Sequence, residues 1–356
     1  MKKRRIWIRI TAVCCLIISI FFLQKLLMPK YVTSIIEGSL IEEYYREKTP
    51  HDVIFIGDCE VYENISPITL WEKYGITSFI RGSAQQLIWH SYYLLEETLK
   101  YEKPKVVVFN VLSMKYNEPQ KEEYNRLTLD GMRWSMSKVK AIKASMMEGE
   151  SFLDYVFPIL RFHSRWSELT SEDFKYLFKK DKVSHNGYYM RVDVKPVTSV
   201  PKPRKLADYR FGDNAWHYLD KMVELTKKHG IELVLMKAPT IYPHWYDEWE
   251  QQIEEYAEKH DLMYINFLEL MEETGIDLTT TDTYDAGLHL NKSGAEKLSV
   301  YFGKILQDTF GLEDHRSDEE LSLVWQEKVE FYRQMAESQY NELKEYGYLK
   351  RFRNNN

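Results

Sequence analysis

"DVIFIGDCEVYENISP", Asp52 to Pro67, decides how this chain is read. Val53 to Ile56 are all β-branched or aromatic, and Gly57 ends the run. That pattern predicts a short strand buried on both faces. A helix is predicted next over "NISPITLWEKYG", residues 64–75, with Ser66 as cap, Pro67 in the first turn and Gly75 as stop. Cys59 therefore lies on a strand-to-helix turn, where side chains are presented and first-turn N–H groups lack helical partners.

The alternation continues outward. "ITSFIRG" (76–82) reads as a second strand ending at Gly82. "SAQQLIWHSYYLLEETLKY" (83–101) carries Leu87, Tyr92, Leu95 and Leu99 at helical spacing, Pro104 breaks it, and "KVVVFNVL" (105–112) is a third strand. An aromatic-rich stretch, about residues 115–210, is helical in period. A helix over 214–229, the strand "IELVLMKAP" (231–239), a helix at about 245–260 and the apolar "LMYINFLEL" (262–270) follow. The last sheet-packing helix starts near Ser293, its expected cap. A charged amphipathic helix over 319–346 places Leu321, Trp325, Val329, Tyr332 and Met335 on one side.

Uniformly apolar strands alternating with helices predict an α/β three-layer sandwich with a mainly parallel, flavodoxin-like sheet. Ligands of such sheets sit beyond the strands' carboxyl ends. The expected organisation is an anchor over 1–30 and an α/β domain over 31–312, with a helical insertion at about 115–210 and a helical extension over 313–356. A short polar stalk is expected over 31–50.

Residues 1–36 hold seven basic side chains and no acid, so the formal net charge of −6 leaves −13 for the remainder. An acidic body argues against nucleic acid as a partner. Ile10 to Met28 is apolar except for Thr11, Ser19, Gln24 and Lys25, which is long enough to cross a bilayer. Lys2 to Arg5 would hold the N-terminus in the cytoplasm and put the body outside, anchored by one helix in the cell membrane. A cleaved signal peptide and a buried core helix are the rival readings. Cys14 and Cys15 fall inside this segment and read as plain apolar residues, which leaves Cys59 as the one thiol of the body. No disulfide can form within the body, so Cys59 is either buried or kept for its reactivity.

"FIGDCEVY", "SPITLWEKYGITSFIRGSAQQ", "YYLLEETLKYEKPKVVVFNV" and "DAGLHLNKSGAEKLS" together resemble the SGNH/GDSL hydrolase superfamily. They are particularly similar to membrane-anchored bacterial members related to cell-envelope polysaccharide O-acetylation proteins. The likeness covers about residues 50–310 without the insertion. It implies that Cys59 stands where the family has its serine nucleophile. It further implies that His289 is the base, Asp285 its orienting acid, and Gly82 an oxyanion donor. Three departures accompany it. "DAGLH" sets three residues between acid and base instead of two, which makes Asp282 the reserve acid. The family's Gly-x-Asn-Asp block is replaced by "FNVLSMKYN", where Asn110 and Asn117 are the candidate amide donors. The third departure is the cysteine.

Acyl transfer needs a nucleophile, a base, an orienting acid and donors for the developing oxyanion. A thiolate suits the first role when a neighbouring imidazolium lowers its pKa, whereas the adjacent Asp58 and Glu60 oppose it. Each residue also has an ordinary reading: Cys59 as a small buried hydrophobe, His289 as a capping or packing residue, Gly82 as a turn glycine, Asp285 as a local turn former. Arg161, Arg165 and Trp166 of "RFHSRW" are candidate contacts to a sugar or anionic polymer, or else part of a helical subdomain packed on the sheet. "HNGYY" (185–189) reads as a turn. No Cys/His spacing suggests a metal and no Gly-rich loop a nucleotide, so neither metal nor cofactor is expected.

The expected function is an extracytoplasmic acyl esterase or O-acyltransferase acting on envelope or exported polysaccharide. The alternative is a degenerate form of the same fold that binds or scaffolds an envelope-assembly partner.

Overall fold

A computed structural model describes residues 2–30 and 38–355. Five strands, β1 (Val53–Gly57), β2 (Ser78–Gly82), β3 (Val106–Asn110), β4 (Glu232–Lys237) and β5 (Met263–Asn266), form one sheet in the order β2-β1-β3-β4-β5. Every pairing is parallel, and Gly57 lies opposite Gly82 where β1 and β2 end. The chain leaves β1 to one side for β2 and returns to the other for β3. That reversal opens a crevice at the carboxyl ends of β1 and β3.

Successive strand residues point to opposite faces, and both faces are covered, which is why the strands lack polar alternation. Val53, Phe55, Val106, Val108, Val234 and Met236 pack with α4 (Pro67–Tyr74), α14 (Lys292–Phe310) and α15 (Glu319–Tyr346). Ile54, Ile56, Val107, Phe109, Leu233 and Leu235 pack with α5 (Ile88–Thr98), α11 (Asp213–His229) and α12 (Asp247–His260). The signals for α4 hold: Ser66 Oγ accepts the Thr69 N–H at 3.2 Å, and Gly75 ends the helix with φ 67°. For α14 the expectation is corrected. Asn291, in extended backbone, caps it through the Gly294 N–H at 3.2 Å, and Ser293 lies inside the first turn.

Helix α1 (Lys2–Leu27) is long and apolar enough to cross a bilayer, and no residue of its most apolar window is buried in the body. Residues 31–37 of the expected stalk lie outside the described residues. The part from Gly38 onward is no polar spacer. Helix α2 (Ser39–Glu43) buries Leu40 and Ile41, and Gly38 abuts Gly131 of the insertion. The insertion holds five helices between Glu122 and Phe178 and then runs irregularly.

"HNGYY" is a turn, as expected, with Asn186 and Gly187 at φ 54° and 87°. It covers the free edge of β2: the Asn186 carbonyl accepts the Ile80 N–H at 3.0 Å, and Asn186 Nδ2 donates to the Ser78 carbonyl at 3.1 Å. A side chain at Gly187 would strike the Ile80 carbonyl, so glycine there allows the turn to seal an otherwise unpaired edge.

Helix α15 lies on the body. Trp325 is fully buried and stacks on Trp71 of α4, ring centres 5.0 Å apart. Val329 and Tyr332 are also buried, whereas Leu321 and Met335 of the predicted stripe are half-buried.

Candidate active site

Helix α3 (Cys59–Tyr62) begins directly beyond β1. Asp58 caps it by accepting the Glu60 N–H at 3.1 Å. Cys59 and Glu63 are one helical turn apart and share a face, while Glu60 points elsewhere. The two faces of this one turn meet different surroundings.

On the inner face, Glu60 is fully buried and accepts from Lys237 Nζ at 3.0 and 3.1 Å. Lys237 ends β4 and also donates to the Ala238 carbonyl at 2.8 Å and to Thr240 Oγ1 at 3.1 Å, and the Thr240 hydroxyl donates to Glu60. Asn110 Nδ2 donates to Asp58 Oδ1 at 3.2 Å and to Glu60 Oε2 at 3.1 Å. Burial, then the Glu60 charge, push Asp58 up to about 6, with Lys115 opposing. This network fastens the turn that carries the cysteine to the ends of β3 and β4.

On the outer face, the half-buried Cys59 thiol and the His289 imidazole are neighbours close enough to shift each other's titration. His289 Nδ1 lies 2.6 Å from Asp285 Oδ2, and the His289 backbone N–H donates to Asp285 Oδ1 at 2.8 Å. With Nδ1 committed, Nε2 is the nitrogen left for the thiol. Glu63 Oε2 is 3.9 Å from Nδ1. Tyr284 stacks on the imidazole with planes 15° apart, its hydroxyl 3.3 Å from Nδ1 and donating to Glu63.

The extra residue in "DAGLH" does not separate acid from base. Ala286 and Gly287 both take positive φ, 63° and 94°, and Thr283 Oγ1 accepts the Gly287 N–H at 2.9 Å. The loop thereby folds Asp285 back onto His289. Asp282, the reserve acid, is engaged elsewhere: it accepts from Lys297 Nζ at 2.6 Å and from the Asp277 N–H at 2.8 Å.

Burial pushes the Cys59 thiol up, His289 opposes this, and Asp58 and Glu63 add to it. Of the two flanking acids expected to disfavour a thiolate, Asp58 acts on it directly, while Glu60 is paired with Lys237. Burial alone would lower His289, but Glu63, Cys59 and Asp285 raise it well above the ordinary imidazole value. Burial thus favours the neutral thiol, and the acidic groups around His289 favour the protonated ring.

The remaining predicted residues fall as follows. Gly82 ends β2, and a Cβ there would press on the Gly57 carbonyl at 3.1 Å and on Tyr62 at 3.3 Å, so it makes room for α3. Asn110 spends its amide donors on Asp58 and Glu60, which leaves none for an oxyanion in this arrangement. Asn117 Oδ1 accepts the Asn214 N–H at 2.9 Å at the start of α11. Arg161 pairs with Glu122 at 2.8 Å. Arg165 donates to the Leu27 carbonyl at 2.8 Å and pairs with Asp173 at 3.4 Å. These arginines are thus engaged within the insertion and at the end of α1, and Trp166 beside them is 63% exposed. Lys237, Glu63, Tyr284 and Arg191 escaped the sequence reading. A lysine closing an apolar strand and a glutamate one turn after Cys59 were signals for the first two. Among the described residues no cluster of three or more His, Cys, Asp or Glu side chains is arranged to hold a metal ion.

No family model matches the chain, and no curated protein does. Among solved structures, a protein described as a candidate acylhydrolase from Bacteroides fragilis aligns with a TM-score of 0.37 at 12% identity, covering 76% of this chain and 95% of its own. A GDSL-like lipase from Bacteroides thetaiotaomicron aligns with a TM-score of 0.35 at 12% identity, covering 76% of this chain and 99% of its own. Likenesses this loose do not fix an activity; the fold stands on the strand order and the chemistry on the residues at the sheet's rim.

Proposed function

We propose that the chain is a membrane-anchored, extracytoplasmic acyl esterase or O-acyltransferase that works through Cys59, His289 and Asp285. The observation that carries this reading is the meeting of Cys59 and His289, 230 positions apart in the chain, with Asp285 on the far nitrogen of the ring. The thiol gives its proton to His289 Nε2 and its sulfur attacks an ester carbonyl carbon. As the tetrahedral intermediate collapses, the ester C–O bond breaks and the departing alcohol takes the proton back. The thioester left on Cys59 passes to water or to an acceptor hydroxyl. Asp285 keeps the ring oriented and stabilises its charge. Because its acidic neighbours favour a protonated ring, the competent form is either the neutral imidazole or a thiolate–imidazolium pair, and turnover rises with pH.

The substrate class, an O-acetylated envelope or exported polysaccharide, rests on the sequence resemblance and on α1. Of Arg161, Arg165 and Trp166, exposed Trp166 is the one open to stack on a sugar ring. The test is full-length protein in detergent with a chromogenic acetyl ester. Cys59→Ala abolishes turnover and His289→Ala lowers it by about 10²–10⁴-fold; unchanged turnover in both removes the mechanism.

Two observations favour a second reading, a degenerate site on a binding or scaffolding module for an envelope-assembly partner. The Cys59 thiol is pushed up, and the Asn110 donors are already engaged. A Cys59 that resists acylation, in a protein that still retains polysaccharide on a column, decides for that reading.

A further inference from the structure

The end of the chain reaches the site by a long route. His315 Nε2 lies 2.8 Å from Asp52, just ahead of β1 and so at the amino edge of the sheet. The 28 residues of α15 then span about 42 Å and bring the tail to the carboxyl edge. There Leu349 and Phe352 are buried again, at 3% and 8% exposure.

Phe352 stands where two chains of contact begin. Towards the base, the Arg191 guanidinium lies over the Phe352 ring at 3.7 Å and over the Tyr284 ring at 4.3 Å, and the Tyr284 ring lies near-parallel to that of His289, centres 5.9 Å apart. Asp193 grips the guanidinium at 2.9 and 2.6 Å, so Arg191 is a fixed plate between two rings. Towards the thiol, Phe352 meets Tyr189 edge-on at 6.0 Å, and the Tyr189 N–H donates to the Tyr62 carbonyl of α3 at 2.7 Å. Nothing in the acyl-transfer scheme uses Arg191, Tyr189 or the tail, yet they brace both sides of the Cys59–His289 contact.

We propose that the C-terminal extension completes the site, with Phe352 as a positioning residue that sets the His289 ring against the Cys59 thiol through Arg191–Tyr284 and through Tyr189–Tyr62. The extension is thereby an integral part of the catalytic unit, and losing its last turn disables the site without unfolding the sheet. The proposal rests on Cys59 and His289 acting together.

The test compares wild type, Phe352→Ala, Phe352→Tyr, His289→Ala and a chain stopped after Gly347, all full-length at the N-terminus and in detergent. The rate of Cys59 alkylation by iodoacetamide is followed against pH on the Cys59 peptide, together with the nitrogen-15 titration of the His289 ring and the thermal midpoint. The groups facing that ring are Asp285 and Tyr284 on its own loop, Cys59 on α3 and Glu63 just past its end, and Arg191 through Tyr284. Phe352→Ala and the truncation are expected to lower the His289-dependent part of the alkylation rate by about tenfold to a hundredfold and to move the ring titration. Phe352→Tyr restores both. A folded Phe352→Ala protein with wild-type alkylation and an unmoved titration overturns the proposal. If His289→Ala leaves Cys59 alkylation unchanged, the acyl-transfer reading fails separately. The ring titration then decides alone: a shift in Phe352→Ala keeps the positioning role and no shift ends it.

Discussion

Glu60 and Glu63 are the same residue type three positions apart, yet their surroundings make opposite uses of a carboxylate. Glu60 turns inward, where Lys237, Thr240 and Asn110 satisfy it, and its charge serves rigidity. Glu63 faces an imidazole and receives the Tyr284 hydroxyl; burial pushes its own carboxyl up, and when ionised it favours the protonated His289 ring. A carboxylate near a nucleophile therefore counts for or against catalysis only once its partner is known. The sequence set Asp58 and Glu60 equally against a thiolate; in the fold Lys237 pairs with Glu60, and Asp58 raises the thiol.

The contrast makes its largest prediction on the inner face. Lys237→Met strands a buried carboxylate and should cost about 3–5 kcal/mol in urea unfolding, whereas His289→Ala on the half-open outer face should cost less. Equal losses would mean that the two faces do not differ. Asp285→Asn sharpens the outer half: acyl turnover should fall by about 10²–10⁴-fold with little change in stability, because the ring loses the partner that fixes its tautomer. Comparable losses in stability and turnover would make Asp285 a structural residue.

Smaller effects follow from pH. A His289 pKa raised by folding contributes stability that is fully present below the unfolded value of about 6.5 and is lost as pH rises through the folded value. Wild type should therefore lose stability over that alkaline window relative to His289→Ala, as read by denaturant midpoints across pH. Glu63→Gln removes one of the charges that hold the proton. It should lower the His289 pKa in a ring titration and bring the rise of Cys59 reactivity to lower pH. An unmoved titration would show that Glu63 does not act on the ring.

The strands and the main helices were legible because local patterns state them. Val53 to Ile56 can only be half-hidden or wholly hidden, and Ser66-Pro67 with Gly75 marks both ends of α4. At α14 the expected cap was Ser293, and backbone geometry placed the cap two residues earlier, at Asn291. Asp285 was legible as a partner of His289 although its spacing was irregular. What could not be read was how a five-residue loop absorbs the irregularity, since two successive left-handed residues are a choice of conformation and not of composition. Arg161 and Arg165 looked like ligand contacts because unpaired arginines on a helix look alike until their carboxylates are found.

The order of amino acids by itself determined a parallel α/β layer, an apolar N-terminal helix, and a cysteine and a histidine at element ends that such a layer carries to one rim. Tertiary structure alone decided which carboxylate faces the ring, which is paired with Lys237, and that Phe352 at the far end of the chain stands beside the site. The physical reason is range. Backbone propensity and hydrophobic period act over a few residues and leave their mark in the sequence. Charge pairing and ring stacking act through space, between residues that only the completed packing brings within a few ångströms.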